Sequence, residues 1–208
     1  MKTTALIILI TLTFSLKLSA QSSDTLYIYD LPHEILLEDR KVELNKSLSF
    51  KSRELFHKEL DWYLSKTAHQ YIADSVSLTN KILNKEFLSI FDNIMKAMPL
   101  RKIPISDSLK FFMSKKGIKK MAVFWNKGTT LSYDSYTQKS IRNSLFTATT
   151  GIPTIIIKGS SLLYCIVIEE GKVVHYAKSA KNQEPLNMTT KDIMIEKVLR
   201  RYLKTLNK

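Results

Sequence analysis

Residues 154–180 read TIIIKGSSLLYCIVIEEGKVVHYAKSA, and this stretch decides the fold. Val, Ile, Leu and Tyr dominate it, and Gly159 and Gly171 punctuate it, which is the pattern of strands separated by turns. The spacing predicts up to three strands, at 154–158, 162–169 and 172–178. Glu170-Gly171 is the predicted turn of the last hairpin, because glycine supplies the positive φ that a tight connection needs. The single cysteine, Cys165, falls inside this stretch among aliphatic neighbours. It reads as a small buried apolar residue rather than a nucleophile, and one cysteine forms no internal disulfide.

Working outward, residues 119–125 (KKMAVFW) predict a further buried strand, turned by Asn126-Lys127-Gly128. Downstream, a loop with Pro185 leads into a final helix, where Thr189 and Asp192 approximate a capping box. That helix puts Ile193, Ile195, Val198, Leu199, Tyr202, Leu203 and Leu206 on one side. Lys197, Arg200, Arg201 and Lys204 lie on the other. Upstream, Ser106 is a predicted N-cap, and Gly117 the stop, of a helix reaching about Lys116. Residues 129–151 are rich in Thr, Ser, Tyr and Asn without a sustained period. They fit a long loop, a short helix around 138–146 or an irregular strand.

Nearer the front the period changes to three and four. Residues 47–72 predict one amphipathic helix. After a break at 74–79, Ile82, Leu83, Phe87, Ile90, Phe91, Ile94 and Met95 predict a second, ending before Pro99. Phe87, Phe91, Met95 and Met98 read as core at helical spacing. Residues 24–30 predict a strand stopped by Leu31-Pro32, and 33–45 a polar loop. The expected fold is α+β: a mostly antiparallel sheet of four to five strands with three to four helices packed on it, in one domain over 21–208.

The first twenty residues read as a secretory signal: a positive start at Lys2, an apolar run from Ala5 to Leu16, and small residues up to Ala20. The run is short for a membrane span, though an uncleaved anchor is the competing reading. No second apolar run in the remaining chain is long enough to span a bilayer. The expected location is therefore outside the cytosol: periplasmic or secreted, or peripheral to a membrane.

The formal net charge of +13 drops to +11 without the first twenty residues, which hold two lysines and no acid. The excess is concentrated. Residues 96–127 carry nine basic residues against Asp107 alone, and residues 172–208 carry nine against Glu184, Asp192 and Glu196. For an exported protein the acidic partners are an envelope protein or the acidic envelope surface itself. The candidate residues for such a partner are Lys197, Arg200, Arg201 and Lys204. A lysine-rich surface serving solubility is the plainer reading of the same charge. Nucleic acid is disfavoured, since the basic residues alternate with apolar ones and export removes the usual targets.

The runs SLKFFMSKKGIKKMAVFW (108–125), SSLLYCIVIEEGKVVHYAKSA (160–180) and LYIYDLP (26–32) resemble a pattern in bacterial envelope proteins. It is similar to the curli-secretion lipoprotein and TolB-N-terminal-like group, and to small secreted bacterial proteins of unknown function. The resemblance implies an opening strand, a helix ending in glycine before a strand, and a hairpin before the last helix. It brings no catalytic residues, and this chain lacks the anchoring cysteine of the lipoprotein members.

No catalytic, cofactor or metal set emerges. Glu54, His57 and Asp61 share a predicted helix face, but without a second histidine at i+4 they read as solvated surface. His175 reads as packed or exposed. There is no GxSxG elbow, and five glycines leave little room for a phosphate loop. The expectation is an exported, non-enzymatic binding protein. The alternative is a small exported hydrolase or ligand-binding enzyme built on residues 129–151.

Overall fold

A computed structural model describes residues 25–39, 41–67, 71–73, 80–153 and 155–206. The expected signal segment and the break at 74–79 lie outside them. The strands are β1 (Leu26–Asp30), β2 (Glu34–Glu38), β3 (Val42–Leu44), β4 (Tyr71–Ala73), β5 (Lys120–Leu131), β6 (Gly159–Glu169) and β7 (Lys172–Lys181). The helices are α1 (Lys46–Lys66), α2 (Lys81–Met95), α3 (Asp107–Lys115), α4 (Tyr133–Thr150) and α5 (Met188–Leu206), with a 3-10 turn at Leu100–Lys102. Among the described residues no helix is long and apolar enough to cross a membrane.

The class is α+β, but the sheet is mixed and has seven strands. β5 is its spine. On one side β6 pairs with it antiparallel along nearly its whole length, and β7 continues antiparallel on β6. On the other side β1 and β2 lie end to end, both parallel to β5. β4 adds parallel to β1, and β3 antiparallel to β2. The mostly antiparallel expectation failed because a parallel pair needs a crossover, and here the crossovers carry α1, α2 and α3. The expected loop at 33–45 holds β2 and β3. The end of the first expected helix, Tyr71-Ile72, belongs to β4.

The hairpin is as expected: Glu170 and Gly171 both have positive φ, 48° and 72°, the backbone of a tight two-residue turn. Of the expected strand at 154–158, residue 154 lies outside the described residues. Residues 155–158 are not strand, and Ile155 is 91% exposed. The expected turn at Asn126-Lys127-Gly128 is also absent, because β5 continues through it. Gly128 serves close approach instead: a Cβ there would stand 2.5 Å from Pro185 Cγ and 2.7 Å from the Ser160 carbonyl. Residues 133–150 form the full helix α4, capped by Ser132, whose Oγ accepts from Ser135 N, and ended by Gly151 at φ 70°. No residue of α4 is buried, which is why no apolar period marked it.

Helices cover both faces of the sheet. Tyr27, Tyr29, Met121, Val123, Trp125 and Ile166 face α2 and α3. Leu26, Ile28, Ala122, Phe124, Cys165 and Val167 face α1 and α5. β1 is thus buried on both sides, and its alternation separates two cores rather than core from solvent. Phe87 and Phe91 are core as expected, whereas Met95 and Met98 are exposed. Cys165 is fully buried, and burial pushes its thiol well above the ordinary value. Ser106 caps α3. Gly117, at φ 65°, closes it with Gly117 N donating to Ser114 O and Ile118 N to Met113 O.

Candidate functional site

Helix α5 is capped by Asn187, not by the expected Thr189: Asn187 Oδ1 accepts from Thr190 N at 2.9 Å. Met194, Ile195, Val198, Leu199, Tyr202 and Leu203 are buried. The four expected basic residues, Lys197, Arg200, Arg201 and Lys204, are exposed together on the outer side. Ile193, expected on the apolar stripe, is 41% exposed among them. The far end of α5 is fixed to the sheet. Tyr202 OH donates to Glu169 Oε1 at 2.6 Å, and His175 Nε2 donates to Val198 O at 3.0 Å. Burial, reinforced by the Glu169 hydrogen bond, pushes the Tyr202 phenol far above its ordinary value.

This docking sets Arg201 beside Lys120, one cation from each basic stretch of the sequence. A cleft of about 540 Å³ there sets Lys120 and Arg201 around one acid, Glu169, with Leu100, Val174 and Tyr176 among its other walls. A second, of about 440 Å³, runs over Lys197, Arg200, Arg201 and Lys204. Arg201 lines both, so the two form one basic surface. Glu196 holds Arg200 by a 3.6 Å pair, both side chains well exposed, which adds little affinity for either.

Midway along β5, where β1 gives way to β2, lies a buried polar network. Asp30 is 1% exposed and accepts from three nitrogens. His33 Nε2 reaches Oδ1 at 3.2 Å, while Arg53 Nε at 3.0 Å and His57 Nε2 at 3.1 Å share Oδ2. Burial by itself would raise the Asp30 carboxyl; its contacts with His33 and His57 reverse the sign and hold it well below the usual carboxylate range. Burial pushes His33 below its ordinary value, against the pull of Asp30. A neutral His33 that donates from Nε2 leaves Nδ1 as an acceptor. Nδ1 then takes a hydrogen bond from Asn126 Nδ2 at 3.1 Å and faces Ser52 Oγ at 3.2 Å.

Lys191, on the first turn of α5, completes the region. It is 1% exposed, and its Nζ has no hydrogen-bond partner among the described residues; nor do Asn126 Oδ1 and Ser179 Oγ. Burial pushes its amine down to about 7, and the charge of Asp30 only partly opposes this.

Ser52, His33 and Asp30 follow one another like a nucleophile, base and orienting acid. The described surroundings leave Ser52 closed to solvent. Ser52 is fully buried inside α1, and its Oγ accepts from Asn126 Nδ2 at 3.1 Å. Catalysis needs a place for the reacting carbonyl beside the nucleophile, and the nearest cleft, over Pro32, Phe50 and Arg53, takes no wall from Ser52.

Glu54, His57 and Asp61 do not converge. His57 turns inward to Asp30, while Asp61 accepts from Tyr71 OH at 2.6 Å, a bond that pushes the Tyr71 phenol up to about 12. Among the described residues no group of three His, Cys, Asp or Glu side chains fits a metal.

Sequence reasoning found the basic face of α5 and missed the network. Spacing held the missed signal: Lys191 stands three, four and seven residues before Met194, Ile195 and Val198, on the apolar stripe, and Ser52 precedes Phe56, Leu60 and Leu64 at steps of four. No family model matches this sequence, and no curated protein matches it.

Proposed function

We propose that this chain is an exported, non-enzymatic protein that binds an acidic envelope surface through its basic end. The observation that carries the reading is the pair of clefts sharing Arg201, where the end of α5 meets Lys120 and the 3-10 turn. Clustered cations at a concave surface focus the field and raise the local concentration of anionic groups. The signal-like front of the sequence and the resemblance to envelope proteins support the location. The enzymatic alternative rests on an expected loop at 129–151, of which residues 133–150 are a surface helix.

The triple variant Arg200→Gln, Arg201→Gln, Lys204→Gln tests this. Each cation near an anionic bilayer contributes about 1 kcal/mol, so the variant should bind phosphatidylglycerol vesicles roughly 100-fold more weakly and with a shallower salt dependence. Unchanged binding would assign the charge to solubility. N-terminal sequencing of the native product should begin at Gln21; an intact Met1 on a cytosolic product would remove the location.

A further inference from the structure

The cleft beside the buried network has no part in the basic end. It holds about 250 Å³ and lies where β1 leaves β5, over the first half of α1. Its walls are Pro32, Leu44 and Phe50, with Lys46, Ser49 and Arg53. His33 contributes main chain only, as its side chain is fully buried. Leu44 and Phe50 are 52% and 58% exposed, an apolar surface that the fold leaves beside the exposed Lys46 and beside Arg53, whose inner edge already holds Asp30.

The composition of the walls selects a ligand. Drug-sized sites occupy roughly 300–1,000 Å³, so this cleft takes something smaller. Apolar walls require an apolar body, and Lys46 and Arg53 require a negative head. Arg53 also gives the site a link inward, because its Nε donates to Asp30 Oδ2 at 3.0 Å. A head group drawing on the Arg53 guanidinium alters its hold on Asp30, and through Asp30 the bonds to His33 and His57.

We infer that this cleft binds a small organic monocarboxylate with an apolar body, the carboxylate on Lys46 and Arg53 and the body against Phe50 and Leu44. NMR of the full chain titrated with phenylacetate tests it, alongside 2-phenylethanol, which lacks the charge, and inorganic phosphate, which lacks the body. Phenylacetate should give saturable shifts at the Phe50 ring and the His57 imidazole, with the other two probes binding at least about tenfold more weakly, the equivalent of one lost contact of about 1.4 kcal/mol. Lys46→Gln and Phe50→Ser alter exposed side chains and leave the core intact, and each should weaken phenylacetate about tenfold. The triple variant of α5 should bind phenylacetate normally. No saturable shift, equal binding of 2-phenylethanol or phosphate, unchanged binding in both cleft variants, or loss in the α5 variant would each overturn the assignment.

Discussion

On the α2/α3 face of the sheet, rings do the packing. Tyr29 meets Phe87 at 4.6 Å, Phe91 meets Trp125 at 5.5 Å, and Trp125 meets Tyr164 at 5.5 Å between centroids. On the α1/α5 face an apolar floor of Phe56, Phe124, Leu199 and their neighbours gives way to polar groups. All eight buried polar or charged side chains among the described residues lie on this side: Asp30, His33, Ser52, Asn126, Ser161, Ser179, Thr190 and Lys191. The first face buries rings whose polar tips reach partners at its rim, as Tyr29 OH does at Asn84 Oδ1. The second desolvates ions and must recover that cost through hydrogen bonds, which it does at Asp30 and does not do at Lys191. Asp30 is joined to the proposed carboxylate cleft through Arg53, which lines it.

The largest effect that probes this contrast is removal of the acceptor. Asp30→Ala strips His33, Arg53 and His57 of their common partner and should cost about 3–5 kcal/mol in urea unfolding. A loss under about 1 kcal/mol would show that the three donors satisfy themselves elsewhere. Acid should act in the same direction. The Asp30 carboxyl is held below its ordinary range in the fold, so the stability it contributes is present at neutral pH and is lost as pH falls below about 4 and the unfolded carboxylate takes its proton.

The opposite sign is expected at the unpaired end of the network. Lys191→Met keeps the length of the side chain and removes the buried amine, so it should stabilise the protein by about 1–4 kcal/mol at pH 7. Destabilisation would mean that the amine has a partner outside the described residues.

The smallest effect belongs to the ring-packed face, where the liability is backbone. Ala97 follows α2 at φ 61°, with Ala97 N donating to Ile94 O and Met98 N to Asn93 O. Gly117 holds the equivalent place after α3. The left-handed conformation costs a non-glycine residue about 1–2 kcal/mol, and the added freedom of glycine in the unfolded chain returns part of that. Ala97→Gly should therefore gain about 0.5–1 kcal/mol in thermal unfolding, and a loss would place the strain elsewhere.

What the sequence made legible follows from how each element is stabilised. β6, the Glu170-Gly171 hairpin, α2, α3 and α5 carry their own signals in β-branched runs, a turn glycine, apolar periods and caps. The missed elements depend on distant partners. β2 and β3 are only five and three residues long, and they become strands when the second half of β5 lies beside β2. α4 buries nothing, so no period marks it. The basic face of α5 was visible because charge on an amphipathic helix is a local pattern. The network was not, because Asp30, Ser52, Asn126 and Lys191 meet only after four separate elements pack.

The central claim is that the α1/α5 face keeps a buried amine at the expense of stability, and the pH dependence of unfolding between pH 7 and 9 tests it most directly. In the unfolded chain Lys191 holds its proton to about pH 10, while the buried amine releases it near 7. The unfolded state thus binds the extra proton across this window, and stability must rise with pH. The native protein should gain about 2 kcal/mol more than Lys191→Met over this range. Parallel curves for the two proteins would contradict the account.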